Sequence, residues 1–266
     1  MTPAKQNSVN QSIVNQSRVN QSRVNQYWAI IPAAGIGKRM QADRPKQYLP
    51  LHNKTVIEHT LDRLLSMDEI CGVVLSISET DEYWSELAYV SDKPVVIAKG
   101  GVERSDSVLN ALEVLHQQIL DQQILTQHKV QLKNTWVLVH DAARPCVRTD
   151  DIQKLIRLAS LNDNGGLLAL PVKDTMKRAK NNNEIATTVD RDGLWHALTP
   201  QMFRLEVLTA ALKNAFQNRL AVTDDASAME LAGYSPLLIE AHEDNLKITR
   251  AFDLQLADLY LVNQGL

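Results

Sequence analysis

Tyr27-Trp-Ala-Ile-Ile-Pro-Ala-Ala-Gly-Ile-Gly-Lys-Arg-Met40 is an apolar run that ends in two glycines and two cations. From Tyr27 to Ala34 hardly a polar side chain interrupts it, which is the pattern of a strand buried on both faces. Such a strand needs covering layers above and below, so the chain downstream must supply helices. Thr55 with Glu58 forms a capping box, and Val56, Ile57, Leu61, Leu64 and Leu65 follow at helical spacing. Further strand-like runs stand at 73–77, 95–98, 135–140 and 167–170, with helical patterns at 107–115 and 151–159 between them. This alternation predicts an α/β fold, a doubly wound and mostly parallel sheet with ligands at the carboxyl ends of its strands.

The composition is compatible with that fold and excludes others. A length of 266 residues, 44% hydrophobic and 22% charged, suits one large soluble α/β unit with appendages. Lys and Arg total 28 against 31 Asp and Glu, so the net charge of -3 provides no global field for nucleic acid or an anionic membrane, and neither partner is expected. The longest apolar runs, such as 167–172, fall far short of the roughly 20 residues of a membrane helix. Cys71 and Cys146 are far apart and lack neighbours at metal-ligand spacing, which argues against zinc and disulfides and makes a reducing cytoplasm the expected location.

Three segments fall outside the alternation. Residues 1–26 repeat Val-Asn-Gln-Ser-Arg, and valines five residues apart assemble an apolar face in neither a helix nor a strand. The segment is therefore read as a disordered tail, not amphipathic enough for a transit peptide, ahead of one large domain at 27–266. The polar stretch 116–134, with Gln-Gln-Ile-Leu at 117 and again at 122, is an insertion that extends a helix or forms a surface loop. Residues 172–194, with three asparagines at 181–183 and a β-like run at 186–189, read as a hairpin arm. So little apolar surface makes a hairpin marginal alone, and a second copy of itself is the economical partner.

Chemistry concentrates where the first strand ends. Glycines after a buried strand let backbone N–H groups approach phosphates, and Lys38, Arg39 and Lys46 bring three cations into the same short stretch. A solvated turn would explain Gly35 and Gly37 alone, but the small pair Ala33-Ala34 and the second basic element at Lys46 favour a triphosphate site. The dinucleotide fingerprint needs a third glycine where Met40 stands, and the phosphate loop of ATPases needs one where Pro32 stands. Asp141, following the apolar strand 135–140, is placed where a sheet presents ligand groups, and Arg144 follows one turn later. A helix cap or turn pairing Asp141 with Arg144 is the alternative. His140 and His196 flank apolar residues and are read as structural.

These residues closely resemble those of the 2-C-methyl-D-erythritol 4-phosphate cytidylyltransferase family of the non-mevalonate isoprenoid pathway. Gly100-Gly101, Arg104, Ser107-Val108, Val139-His-Asp-Ala-Ala-Arg-Pro145, Asp174-Thr-Met-Lys177, Val189-Asp-Arg191, Leu194-Trp-His-Ala-Leu-Thr-Pro-Gln201, Thr223-Asp-Asp-Ala-Ser227 and Asp244-Asn-Leu-Lys247 extend the likeness from about Trp28 to the end. The resemblance implies a Rossmann-like nucleotide-diphospho-sugar transferase fold and transfer of CMP from CTP to the polyol phosphate, with release of pyrophosphate. A sister cytidylyltransferase acting on ribitol 5-phosphate is the nearest alternative, and a nicotinamide oxidoreductase or a silent nucleotide-binding module are more distant ones.

Roles follow from the resemblance. Arg39 and Lys46 act on the CTP phosphates, with Mg2+ sharing that charge, and Arg191 and Lys247 hold the attacking phosphate. Ala33, Ala34, Gly35, Gly37, Gly100, Gly101 and Ser107 bind the nucleotide, the Gly100–Ser107 turn reading cytosine. Asp141, Ala142, Arg144, Thr175, Thr199 and Thr223 join the substrate side, Asp141 serving either the erythritol hydroxyls or the metal. Well-known members carry an acidic residue where this chain has Val102, so no side-chain contact is expected there. The arm would exchange across a homodimer and carry Thr175 and Arg191 to the neighbouring site.

Overall fold

The structure is a computed structural model that describes residues 25–35, 43–126 and 132–265. The repeat tail up to residue 24, and Gly37, Lys38 and Arg39 in the glycine loop, lie outside the described residues. In chain order the elements begin with β1 (Gln26–Pro32), β2 (Pro50–Leu51), β3 (Lys54–Thr55), α1 (Val56–Leu65), β4 (Ile70–Ile77), α2 (Tyr83–Glu86), β5 (Val95–Lys99) and α3 (Arg104–Thr126). They continue with β6 (Thr135–Val139), α4 (Thr149–Ala159), β7 (Gly166–Pro171), β8 (Met176–Ala179), β9 (Ile185–Val189) and β10 (Trp195–Arg204). Helices α5 (Leu205–Gln217) and α6 (Asp225–Leu231), strand β11 (Leu237–Glu240) and helix α7 (Ala251–Asn263) complete the described chain.

Seven strands form the central sheet in the order β11-β7-β10-β6-β1-β4-β5. All neighbours pair in parallel except around β10, which is antiparallel to both β6 and β7. The unbroken apolar run of β1 is explained by its alternation between two cores. Ala29 and Ile31 enter one cluster with α1 and α4, while Trp28 and Ile30 enter the other with α3, α5 and α6. Strand β6 does the same, Trp136 and Leu138 on one side and Val137 and Val139 on the other. Each such fully buried large side chain contributes about 2 kcal/mol relative to exposure. A third cluster, including Leu49, Val56, Cys146, Ile248 and Leu261, fastens α7 against the start of α1 and the segment that follows β6.

The capping box at the start of α1 is present in full: Glu58 N–H donates to Thr55 Oγ1 at 3.4 Å, and Thr55 N–H donates to Glu58 Oε2 at 2.7 Å. The polar stretch after His116 continues α3 as far as Thr126. In the arm, β8 pairs with β9 as an antiparallel hairpin, with Met176 opposite Val189. Its side chains are exposed, Ile185 to 63%. Strand β10 contradicts the sequence reading, in which 195–204 carried no strand. Pro200 argues against a central strand, and the ladder accommodates it by a register shift between Ala197 and Gln201.

Candidate active site

From β1 the connections step through β4 to β5, then cross back to β6 on the other side of β1. Loops leaving the carboxyl ends of β1 and β6 therefore diverge, which opens a crevice at the switch point. The cleft there is lined by Ala33, Ala34, Gly35, Lys46, Gln47, Gly101, Val102, Glu103, Arg104, Ser107, Asp141, Ala142 and Lys247, among others. Nine residues expected from sequence thus meet in one place: Ala33, Ala34, Gly35, Lys46, Gly101, Ser107, Asp141, Ala142 and Lys247.

Backbone pairing that runs past the strand ends fixes the walls. Ala33 N–H donates to Ser76 O at 2.8 Å, Gly100 N–H to Ile77 O at 2.6 Å, and His140 N–H to Ile30 O at 2.9 Å. Gln47 Nε2 donates to Ala33 O at 2.7 Å, so the Pro45–Tyr48 turn is stitched to the end of β1. Glycine at position 100 is a steric requirement, because a Cβ there would lie 2.2 Å from Ala34 Cβ. Among the described residues nothing lies within 4 Å of a Cβ at Gly35. The Ser107 hydroxyl, expected to read the base, is engaged inside the turn. It accepts from Gly101 N–H at 2.9 Å and donates to Glu103 O at 3.3 Å, holding the turn in shape.

Asp141 lies at the floor of the cleft, 7% exposed, among three cations. Arg104 Nε donates to Oδ1 at 3.0 Å, while Oδ2 takes Lys247 Nζ at 2.8 Å and Arg144 Nε at 3.3 Å. Burial by itself would raise this carboxyl, but the charges of Arg104, Lys247 and Arg144 outweigh it and hold the group well below the usual carboxylate range. Arg144 sits beneath and donates to Asn245 O at 2.7 Å, tying the segment that carries Lys247 to the end of β6. Lys46 Nζ donates to Ile248 O at 2.9 Å, beside Lys247, so the turn that carries one lysine is tied to the segment that carries the other.

Thr199 is buried and is not among the residues lining the cleft. Its hydroxyl accepts from Asp141 N–H at 3.1 Å and lies 3.1 Å from His140 Nδ1. His140 Nε2 is 3.1 Å from Arg144 O, an acceptor only, so the proton sits on Nε2 and Thr199 donates to Nδ1. Burial pushes His140 down to about 4, against the opposing pull of the Arg144 carbonyl and the Asp141 charge, so it is a neutral strut and not a base at neutral pH. Its unfolded value is near 6.5, so the unfolded chain takes up the extra proton first. The stabilisation is complete above that value and is lost as pH falls toward 4, on the order of 3 kcal/mol at most. Denaturant titrations from pH 7 to pH 4.5 are expected to show this decline, and a His140→Asn protein should show a shallower one. Equal slopes would contradict the assignment.

Thr223 borders an adjoining cavity that shares Glu103 and Arg104 with the cleft. Thr175 and Arg191 sit on the exposed arm and are not among the residues lining the cleft. The Arg191 guanidinium donates to Lys173 O at the base of the arm. Two residues to which the sequence assigns no role also meet here: Arg104, and Asp225, 0% exposed and 2.9 Å from Arg104 Nη2. The only sequence signal for Asp225 is the doubled aspartate after Thr223, which reads equally well as a polar turn. Indeed Asp224 is the N-cap of α6, its carboxylate accepting from Ser227 N–H at 2.9 Å.

Comparison with known proteins agrees with this geometry. Residues 27–263 match the family described as 2-C-methyl-D-erythritol 4-phosphate cytidylyltransferase. A protein of that name from Vibrio vulnificus (strain CMCP6) is 52% identical over 233 residues, 88% of this chain and 93% of the relative. Its namesake from Photobacterium profundum is 47% identical over 240 residues, 89% and 96% of the two chains. Among solved structures, the Francisella tularensis 2-C-methyl-D-erythritol 4-phosphate cytidylyltransferase aligns with a TM-score of 0.73 at 35% identity, covering 88% of this chain and 99% of that one. A 4-diphosphocytidyl-2C-methyl-D-erythritol synthase aligns with the same TM-score at 34% identity, covering 90% and 100%. The chain belongs to the 2-C-methyl-D-erythritol 4-phosphate cytidylyltransferase family.

Proposed function

We propose that the protein transfers the cytidylyl group of CTP to 2-C-methyl-D-erythritol 4-phosphate, giving 4-diphosphocytidyl-2-C-methyl-D-erythritol and pyrophosphate in isoprenoid precursor synthesis. The observation that carries this reading beyond family membership is the meeting of the glycine turns at 35 and 100–101 with Lys46, Arg104 and Lys247 around one cleft. Small residues at Ala33, Ala34 and Gly35 leave room for a nucleotide, and the cations oppose the charge of two anionic reactants. The Gly100–Ser107 turn offers its backbone to the base, with Ser107 shaping it.

In the reaction an oxygen of the polyol phosphate forms a bond to the α-phosphorus of CTP. The bond from that phosphorus to the bridging oxygen breaks, and its electron pair leaves with pyrophosphate. The nucleophile is already an anion, so no base is needed, in keeping with the neutral His140. What the chain contributes is positioning and cationic stabilisation. Lys46 and Arg39 serve the triphosphate, and Lys247 serves the attacking phosphate together with Arg191 and Thr175 from a partner's arm in a homodimer. Asp141 anchors Lys247 and is available to substrate hydroxyls at the floor.

A divalent metal suits this chemistry, and we propose magnesium, which when bound neutralises triphosphate oxygens and keeps most of its waters. The described residues do not fit a resident ion in the cleft. Both oxygens of Asp141 are held by cations. The one acidic and histidine group close enough to share an ion among the described residues, Asp150, Asp151 and His242, is not among the residues lining the cleft, and Asp151 already accepts from His242 Nδ1 and N–H. We therefore assign no magnesium ligand on this chain, Asp141 included.

Pyrophosphate release tests the reading when CTP, ATP, GTP and UTP are each paired with 2-C-methyl-D-erythritol 4-phosphate and with ribitol 5-phosphate. Turnover is expected with CTP and the methylerythritol phosphate. Preference for another nucleotide, or for ribitol 5-phosphate, would overturn it.

A further inference from the structure

We infer that Asp225 is a positioning residue for the transfer reaction, holding the Arg104 guanidinium so that it bridges two carboxylates at the wall of the cleft. Arg104 presents Nε to Asp141 Oδ1 at 3.0 Å and Nη2 to Asp225 Oδ2 at 2.9 Å. Arg104 lines the cleft, whereas Asp225 is 0% exposed behind it. Among the described residues neither Asp225 oxygen, nor Arg104 Nη2, has a hydrogen bond of good geometry, so the pair is an ion contact. A carboxylate buried without hydrogen bonds is costly, and an apolar residue of similar size would ordinarily stabilise the fold more. Helix capping does not account for it, since Asp224 performs that task for α6.

The geometry explains what the cost achieves. A guanidinium facing a single carboxylate tends to grip both of its oxygens. Here the second carboxylate draws the other end of Arg104 away, which leaves Asp141 Oδ2 to Lys247 and Arg144. Asp225 thereby sets where Lys247 stands, two contacts removed. Without the Asp225 charge, Arg104 turns onto Asp141 and displaces Lys247.

The inference rests on the proposed reaction, and the wild-type rate with CTP and 2-C-methyl-D-erythritol 4-phosphate tests that reaction separately. In Asp225→Asn, which keeps the shape and removes the charge, kcat is expected to fall by about tenfold to a hundredfold while KM for CTP changes by less than about threefold. A merely structural role would lower the melting temperature and leave kcat of the folded protein intact, and that result would overturn the inference. If the variant does not fold, Arg104→Lys carries the test, because an ammonium reaches one carboxylate but cannot bridge two; retained kcat in it is equally fatal. A crystal structure of Asp225→Asn gives a readout independent of turnover. Arg104 is expected to engage both oxygens of Asp141, and an unchanged single contact at Oδ1 would refute the mechanism whatever the substrate proves to be.

Discussion

Replacing Lys46 by alanine is expected to lower kcat by on the order of a hundredfold or more, as the loss of a transition-state donor does in other sites. The side chain extends from a short 3-10 turn, Lys46–Tyr48, whose anchors Gln47 and Tyr48 are buried, 3% and 2% exposed. Those anchors remain in the variant. Lys46 itself is only partly buried, and the melting temperature should move little. Steady-state kinetics with both substrates varied decide the role. Unchanged kcat with a raised KM for CTP would mean that Lys46 binds the ground state only.

The second large effect concerns the arm. If Arg191 and Thr175 complete the neighbour's site, Lys46→Ala chains and Arg191→Ala chains should each be nearly inactive yet recover activity when mixed. In every mixed dimer one site collects both defects and the other collects neither. With random pairing about half the dimers are mixed, so roughly a quarter of the wild-type rate should return, as two-fold symmetry requires. An arm that serves its own subunit provides no intact site in any pairing. Verified subunit exchange without recovered activity would return Arg191 to its own chain or to a supporting role at Lys173 O.

Much of this arrangement is legible in the sequence because it is local. The apolar run of β1, the capping box at Thr55 and the amphipathic stripe of α4 each announce themselves within one or two turns of chain. Where a strand ends and a glycine follows, the site follows too, which is why nine of the expected residues meet. Legibility fails where the partner is remote. Thr199 looks like a spare hydroxyl until its contacts with Asp141 and His140, 58 and 59 residues away, are known. Ser107 likewise is a candidate ligand in sequence and a turn former in space. Strand β10 is hidden by Pro200, and α7 by an apolar pattern that runs around the helix instead of along one side. Asp225 is the extreme case, since the charge it balances belongs to α3, and no spacing rule connects the two.

Because β10 runs against its neighbours, the chain leaves the sheet at Pro171 and returns at Trp195 directly opposite, the two being register partners. Val172 N–H donates to Leu194 O at 3.0 Å and closes the gap. The arm is thus gathered at its base like a purse, and its length is decoupled from the spacing of the strands that carry it. Residues can be added to it or removed from it without shifting one register in the seven-stranded sheet. Scaffold and arm are in this sense separable characters. The first is constrained by packing on both faces, while the second is free to vary, so that two related chains with interchangeable cores need not carry the same arm.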